Sequence, residues 1–255
     1  MKTALIGYTG FVGSNLAAQA PWDDLYNSSN IQEMAGKQYD FVACAGAPAA
    51  KWLINQNPDA DRANLQTLRD AIAGAKIAEL LLISTIDVYA PPIGVYEDST
   101  IDVAGHHAYG THRLELEQFC VAMLPTTVVR LPGLFGKGLK KNVIFDLLHD
   151  NQIDRIDPDG CFQYYDLKHL WRDIARIRAD RLPLVNMATA PIVTDRIARE
   201  LFGIALAPKP GAHAGYDMRS RYGRLWGRDD DYLYGADEVW ADLTAYVAEA
   251  RRGNG

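Results

Sequence analysis

The stretch Met1-Lys-Thr-Ala-Leu-Ile-Gly-Tyr-Thr-Gly-Phe-Val-Gly-Ser14 decides the fold. Thr3–Ile6 is a short apolar run that predicts a buried strand. Gly7, Gly10 and Gly13 follow at a spacing of three. Phe11–Ala20 then predicts a helix, stopped by Pro21. Strand, glycine turn and helix in this order make an anion-binding turn of the dinucleotide kind. Gly7 makes the tight turn, Gly10 lets the backbone approach a pyrophosphate, and Gly13 lets the helix pack close to the sheet. The free N–H groups at the helix start hold the anion. Thr9, Phe11 and Val12 belong to the same turn. A glycine trio alone says little; its place directly after the first strand makes it specific.

Outward from this turn, apolar runs alternate with helical patterns. Phe41–Ala45, Glu79–Ser84, Thr126–Leu131 and Leu182–Met187 predict strands, with Leu25-Tyr26 a short second strand. Asp59–Ala75, Tyr109–Met123, Asn142–Asp150 and Leu167–Ala179 predict helices. The strands are continuous apolar runs, as expected when helices cover both faces of a parallel sheet. The fold class is therefore α/β, a Rossmann-type doubly wound parallel sheet. Thr194 is expected to cap a helix over Asp195–Phe202 that Gly203 ends. Ala236–Arg251 carries the apolar stripe Val239, Trp240, Leu243, Tyr246 and Val247. Between these helices, Ala207–Asp231 is rich in Pro, Gly, Arg and Tyr and predicts a long irregular loop. Residues 1–255 are expected to form a single domain, with small cap segments mainly within 133–181 and 204–255.

The bulk numbers narrow the function class. At 255 residues the chain can bury a large core. Its 48% hydrophobic and 23% charged content is that of a globular protein. A net charge of −6 disfavours a nucleic-acid role. Cys44, Cys120 and Cys161 are odd in number and far apart, so neither a zinc site nor a disulfide framework is expected. Cys44 sits in an apolar run and reads as core. The first strand begins at residue 3, no leader is visible and no apolar run reaches membrane-spanning length. A cytoplasmic protein with no membrane partner and no metal is the expectation.

Three pieces downstream match the glycine turn: Leu80-Leu-Leu-Ile-Ser-Thr-Ile-Asp-Val-Tyr89, Tyr109-Gly-Thr-His-Arg113 and Val128-Val-Arg-Leu-Pro-Gly-Leu-Phe-Gly136. In this order they resemble the extended short-chain dehydrogenase/reductase family, the NAD(P)-dependent sugar epimerase/dehydratase type, over roughly residues 1–205. The resemblance implies hydride transfer on a sugar nucleotide or a similar polar hydroxy/keto compound, with NAD or NADP as cofactor. Tyr109 takes the family's acid/base position. Thr85, with Ser84 as the adjacent alternative, takes that of the hydroxyl that bonds the reacting oxygen. Arg113 stands where the family has Lys. Residues i and i+4 share a helix face, so Tyr109 and Arg113 can both point into one cleft. Arg keeps the charge but is planar and not interchangeable with Lys.

After the second strand, Asn27, Ser28 and Ser29 are the candidates for the adenosine ribose. No acid and no Arg or Lys stands there, which leaves NAD and NADP both open. Ala45, Gly46 and Ala47 form a small-residue strand end that passes over the adenosine by resemblance. Leu131, Pro132 and Leu134 lie beside the nicotinamide on the same basis. Lys51, Trp52 and Asp87 are further cleft candidates, and Asn64 an expected structural bond to nearby backbone. Tyr164 or Tyr165 is expected to line a substrate pocket, and Arg219, Arg221 and Arg224 to suit a diphosphate or carboxylate. The rival reading is an NAD(P)-binding sensor or scaffold of the same fold, weak or inactive in catalysis. Two-fold self-association through the Tyr109–Met123 helix is expected by family analogy only.

Overall fold

The computed structural model describes residues 1–253. Its main sheet is built from β1 (Thr3–Ile6), β2 (Asp24–Tyr26), β3 (Phe41–Cys44), β4 (Leu80–Thr85), β5 (Thr126–Leu131) and β6 (Leu184–Asn186). The helices are α1 (Phe11–Gln19), α2 (Lys51–Gln56), α3 (Pro58–Gly74), α4 (Ala108–Met123), α5 (Val143–Leu148), α6 (Leu170–Ala179), α7 (Thr194–Ile197) and α8 (Ala236–Gly253). The strand order is β6-β5-β4-β3-β1-β2. The pairings β1–β2, β1–β3, β3–β4 and β4–β5 are all parallel. This is a doubly wound α/β sheet of the Rossmann type, as the alternation of strands and helices predicts.

The order matters for function. The chain leaves β1, pairs β2 on one side of it and then returns to place β3 on the other. That reversal is the topological switch point, where open α/β sheets bind ligands at the carboxyl ends of their strands. Gly7 follows β1 and Ala45 follows β3, so both lie at this point. No helix joins β2 to β3; a 3-10 turn at Ile31–Met34 takes its place.

Two compact units make up the chain. The first comprises Met1–Ala90, Ser99–Leu131 and Lys168–Val185. Its core runs from the sheet (Ile6, Val42, Cys44, Leu80, Leu82) to α3 and α4 (Leu65, Leu68, Ile72, Leu116, Cys120). Within the same unit, Trp22, Phe41 and Trp171 form an aromatic cluster where α6 meets β3. Burial lifts the Cys44 thiol to about 11 and the Cys120 thiol to about 12, so both stay protonated and inert.

The second unit comprises Pro91–Asp98, Pro132–Leu167 and Asn186–Gly255. The expected cap segments thus differ from the observed unit: Lys168–Val185, with α6, goes to the first unit, while 91–98 and 186–203 go to the second. Gly133–Phe135 pairs Tyr164–Asp166 in parallel, and Ile93–Val95 pairs Asp217–Met218. Buried Gln163 pins three segments of it, donating to the carbonyls of Thr189 and Met218 and accepting from the Met218 N–H. The loop expected at 207–231 carries a strand and a 3-10 turn at Gly223–Trp226. Thr194 is not the cap foreseen: it is the first residue of α7, and its hydroxyl donates to the Gly160 carbonyl at 2.8 Å. Gly203 ends that helical stretch at φ 69°, as expected. Among the described residues no helix is long and apolar enough to cross a membrane.

Candidate active site

The glycine turn is built by close approach. Gly7 has φ 86°, and a Cβ there would stand 2.4 Å from the Ala45 carbonyl oxygen. A Cβ on Gly13 would stand 2.0 Å from the Gly7 oxygen, so α1 can seat against the turn only with glycine at 13. Gly10 is different: its nearest neighbour would be the Gly7 oxygen at 3.3 Å. It is the N-cap of α1, which has no side-chain cap and no acid in its first turn. The first N–H groups of the helix, from Phe11, Val12 and Gly13, are left for an outside acceptor, and the dipole favours an anion. Thr9 is exposed beside them. The turn therefore fits a pyrophosphate on the backbone geometry alone.

The neighbouring candidates fall into place unevenly. The Gly7 N–H donates to the Tyr26 carbonyl at 2.7 Å and the Ala45 N–H to Ile6 at 2.9 Å, which draws the ends of β2 and β3 to the turn. Asn27 and Ser29 bond each other, with the Asn27 Oδ1 accepting from the Ser29 N–H at 2.9 Å and hydroxyl at 2.6 Å. Ser28 is exposed. Gly46 packs on Ile6 and Leu68, and Ala47 is half-buried.

Ser84 and Thr85 end β4 and, by strand alternation, face opposite ways. Thr85 faces the start of α4, where its hydroxyl acts on the Tyr109 phenol and draws its pKa down. Its oxygen accepts the Asp87 N–H at 3.1 Å, which leaves the hydroxyl proton for the phenol. Ser84 faces the other way and donates to the Glu117 carboxylate. Glu117 also takes Arg130, at 2.5 Å to Nη2, and Arg130 bonds the Tyr89 hydroxyl at 2.6 Å. The adjacent hydroxyl foreseen as an alternative is thus a strut, because its proton serves this buried cluster.

Tyr109 is buried at 9% exposure. Its N–H donates to Asn55 Oδ1 of α2 at 3.0 Å. Burial pushes its phenol above the ordinary tyrosine value; Arg113, Thr85 and Lys51 pull it down and Asp87 pushes it up, and the rise wins. The phenol is therefore protonated at neutral pH. His107 caps α4, its Nδ1 accepting the Gly110 N–H at 3.0 Å. Burial, with Lys51 and His106 adding, pulls His107 below its ordinary value, which keeps Nδ1 free to accept.

Arg113 does share a face with Tyr109, and its guanidinium lies 4.8 Å from that ring. It does not reach into a cleft. Buried Asp61 on α3 takes two of its nitrogens at 3.0 Å each, and the Pro48 carbonyl takes a third bond at 2.5 Å. His112 holds the same carboxylate at 2.8 Å. The Arg113 charge is shared with Asp61, yet Arg113 is the group that lowers the phenol most. Sequence reading passed over Asp61, Asn55, Glu117 and Arg130 as partners, and chose Asn64, which is exposed, for the bond that Asn55 makes. Only the Arg in the Val-Val-Arg-Leu run, a charge inside an apolar strand, signalled one of them.

No protein-family model matches the chain, and no curated protein matches it. Solved structures do. The chain is similar to the UDP-glucose 4-epimerase of Thermotoga maritima, solved with UDP-glucose, at TM-score 0.76 and 13% identity over 100% of both chains. It is similar to MoeE5, solved with UDP-glucuronic acid and NAD, at TM-score 0.75 and 17% identity over 99% of this chain and 100% of that one. It is also similar to the dTDP-4-dehydrorhamnose reductase of Bacillus anthracis, solved with NADP, at TM-score 0.72 and 16% identity over 98% and 99%. The likeness is one of fold. It spans the whole chain, second unit included.

The remaining candidates lie within or next to that second unit. Leu131 ends β5 opposite Thr85 and is buried. Pro132 opens the second unit, and the Leu134 carbonyl accepts from Asn142 at 2.9 Å. Tyr164 and Tyr165 are buried at 3% and 1%, which makes them core residues of that unit rather than lining. Arg219 pairs Asp217 at 2.9 Å and Arg221 pairs Asp98 at 3.1 Å, while Arg224 is exposed.

Proposed function

We propose that this protein is an NAD(P)-dependent oxidoreductase of the epimerase, dehydratase or reductase type, acting by hydride transfer on a sugar nucleotide or a similar polar hydroxy/keto compound. The observation that carries the reading is the Thr85–Tyr109 hydroxyl pair, in the same compact unit as a glycine turn at the switch point of the sheet. The solved structures of like fold support it, since two of the three were solved with a UDP-sugar and two with NAD or NADP.

Gly10, Phe11, Val12 and Gly13 hold the pyrophosphate through backbone N–H groups, with Thr9 beside them. Asn27, Ser28 and Ser29 take the adenosine ribose; Ala45, Gly46 and Ala47 cover the adenosine; Leu131, Pro132 and Leu134 serve the nicotinamide. A bound nicotinamide supplies the hydride chemistry. Tyr109 handles the proton. It gives its phenolic hydrogen to a carbonyl oxygen being reduced or, in its phenolate form, takes the hydroxyl hydrogen from an alcohol being oxidised, while Thr85 bonds the same oxygen. Ser84 and Arg113 position α4 and touch no reacting atom. The second unit serves substrate recognition, and association through α4 into a homodimer belongs to the same proposal.

The test is a titration of nucleotide-free protein with NAD, NADH, NADP and NADPH, following the quench of its five tryptophans. Saturable binding of one pair supports the reading and settles the 2′-phosphate preference. No binding by any of the four sinks it. The rival is a nucleotide sensor of the same fold, weak or inactive in catalysis. That rival predicts binding with no turnover on any of a panel of UDP- and dTDP-sugars.

A further inference from the structure

A dinucleotide site of this kind reads the adenosine ribose with a residue at the end of the second strand, about 20 residues after the glycine turn. An acid there accepts the ribose hydroxyl hydrogen and repels a 2′-phosphate; an Arg nearby pairs with that phosphate. This chain has Asn27 at the place, and its Oδ1 is spent inside the turn on the Ser29 N–H and hydroxyl. Asn30 is spent as well: it accepts the Asn27 N–H at 2.8 Å and gives an amide hydrogen to the Leu25 carbonyl at 3.0 Å. Asn27 reaches instead to Tyr8 of the glycine turn, its Nδ2 donating to the Tyr8 hydroxyl at 3.4 Å. A hydroxyl whose oxygen accepts this bond keeps its own hydrogen, and among the described residues no acceptor takes it. A half-buried phenol with a spare donor thus stands between the pyrophosphate turn and the end of β2.

We propose that the Tyr8 hydroxyl is the donor that reads the 2′ oxygen of the adenosine ribose, which lets the site take NADP as well as NAD. The assignment rests on the dinucleotide site proposed above. Its edge offers a donor where an acid would offer an acceptor. A carboxylate only accepts, so it bonds a ribose hydroxyl and rejects a phosphate, whereas both of those oxygens accept from a phenol. No charged side chain stands from Gly7 to Gly13 or from Tyr26 to Gln32. A 2′-phosphate therefore meets no carboxylate in either stretch, and it gains a charge-assisted bond from the phenol in place of an ion pair. Ser28, exposed beside Asn27, adds a second hydroxyl. Asn27 is a positioning residue: with Oδ1 fixed by Ser29, its Nδ2 is turned to Tyr8 and orients the phenol. That 3.4 Å bond is long, so the hydroxyl shifts toward a ligand at little cost.

The experiment reads binding alone. Nucleotide-free wild type, Tyr8→Phe and Asn27→Asp are titrated by calorimetry with NAD, NADP and the NAD analogue that carries 2′-deoxyadenosine. Wild type is expected to hold NAD and NADP within about tenfold of each other, because a neutral and a charged acceptor differ by little on one donor. Tyr8→Phe removes one hydroxyl and leaves the glycine turn intact. It should weaken NAD and NADP by about fivefold each, the worth of one hydrogen bond, and leave the deoxy analogue unchanged. Asn27→Asp keeps an oxygen for Ser29 and turns an acceptor to Tyr8, which takes up the phenolic hydrogen. It should weaken NADP by about tenfold more than NAD, through repulsion of the phosphate. A Tyr8→Phe protein that binds NAD as wild type does, or that loses as much affinity for the deoxy analogue as for NAD, overturns the assignment. So does a wild-type preference beyond the expected range, or a ratio of NAD to NADP affinity that Asn27→Asp leaves unmoved. Failure here stays distinct from that of the underlying reading: these outcomes remove Tyr8 alone, whereas a wild type that binds none of the three ligands removes the dinucleotide site.

Discussion

At the scale of the residue, the three glycines of the turn carry different burdens, and substitution separates them. Gly13→Ala puts a methyl 2.0 Å from the Gly7 carbonyl oxygen, backbone against backbone, where nothing can yield but α1 itself. We expect that variant to lose both stability and dinucleotide binding. Gly10→Ala meets only a 3.3 Å neighbour, and its φ of −77° suits any residue. It should melt close to wild type while its dinucleotide affinity falls, because the added methyl occupies the side from which a phosphate approaches. Thermal melts and the tryptophan-quench titration together check the pair; equal losses in both variants would mean that the turn is structural only. Tyr109 gives the second residue-scale test. Tyr109→Phe removes one buried hydroxyl and keeps the ring beneath the Arg113 guanidinium, so folding and nucleotide binding should survive. Turnover on any substrate found should drop by roughly 10²–10⁴, the usual contribution of a positioned acid or base.

At the scale of the element, α4 is the part that the fold takes most trouble to place. Its N-terminus is capped by His107 and met by Asn55, its second turn is tied to α3 through Asp61, and its middle is tied to β5 through Glu117 and Arg130. Burial alone would raise the Asp61 carboxyl, but the bonds from Arg113 and His112 outweigh it and hold the group below its ordinary value. A carboxyl with a depressed pKa stabilises the fold fully above the unfolded value of about 3.9, and that contribution is lost as pH falls through the folded value. Asp61→Asn should cost about 3–5 kcal/mol, because it strands a buried guanidinium. In urea unfolding series the variant should also show a shallower loss of stability on acidification below pH 4. Strands and long helices of this unit were legible because continuous apolar runs and 3.6-residue periodicity are local signals. The short helix α2 was not: its six residues expose Trp52 and Leu53, so no apolar stripe marks it. The carboxylates that hold α4 were equally hidden, since Asp61 and Glu117 are ordinary helix-surface residues by composition and acquire meaning only when Arg113 and Arg130 arrive from elsewhere in the chain.

At the scale of the whole molecule, the division into two units follows contacts that no local pattern announces. The glycine turn, the strand ending in Ser84-Thr85 and the Tyr109 helix were legible in order, and they fall in one unit. The segment 91–98 reads as a loop between a strand and a helix of that unit, yet it belongs to the other. Two ties account for it: the pairing of Ile93–Val95 with Asp217–Met218, and Glu97. One of its oxygens accepts the Asn186 N–H at 3.0 Å and the Ser220 hydroxyl at 2.6 Å, and the other accepts the Arg221 N–H at 2.9 Å. A single carboxylate thus gathers backbone and side-chain donors from about ninety and about 120 residues downstream, and each such bond to a charged acceptor is worth roughly 1.5–3 kcal/mol. Glu97→Ala should therefore lower the melting temperature by several degrees. Glu97→Gln, which keeps an acceptor oxygen for Asn186 and Ser220 but turns a donor toward the Arg221 N–H, should lower it less. Neither change touches the glycine turn, the Thr85–Tyr109 pair or α4. If the residues proposed in the first unit, the glycine turn above all, carry most of the dinucleotide affinity, both variants should bind it close to wild-type affinity below their melting point, while affinity for a sugar-nucleotide substrate falls in Glu97→Ala. Loss of dinucleotide binding in a folded Glu97→Ala protein would instead give the larger share to the nicotinamide candidates of the second unit, Pro132 and Leu134.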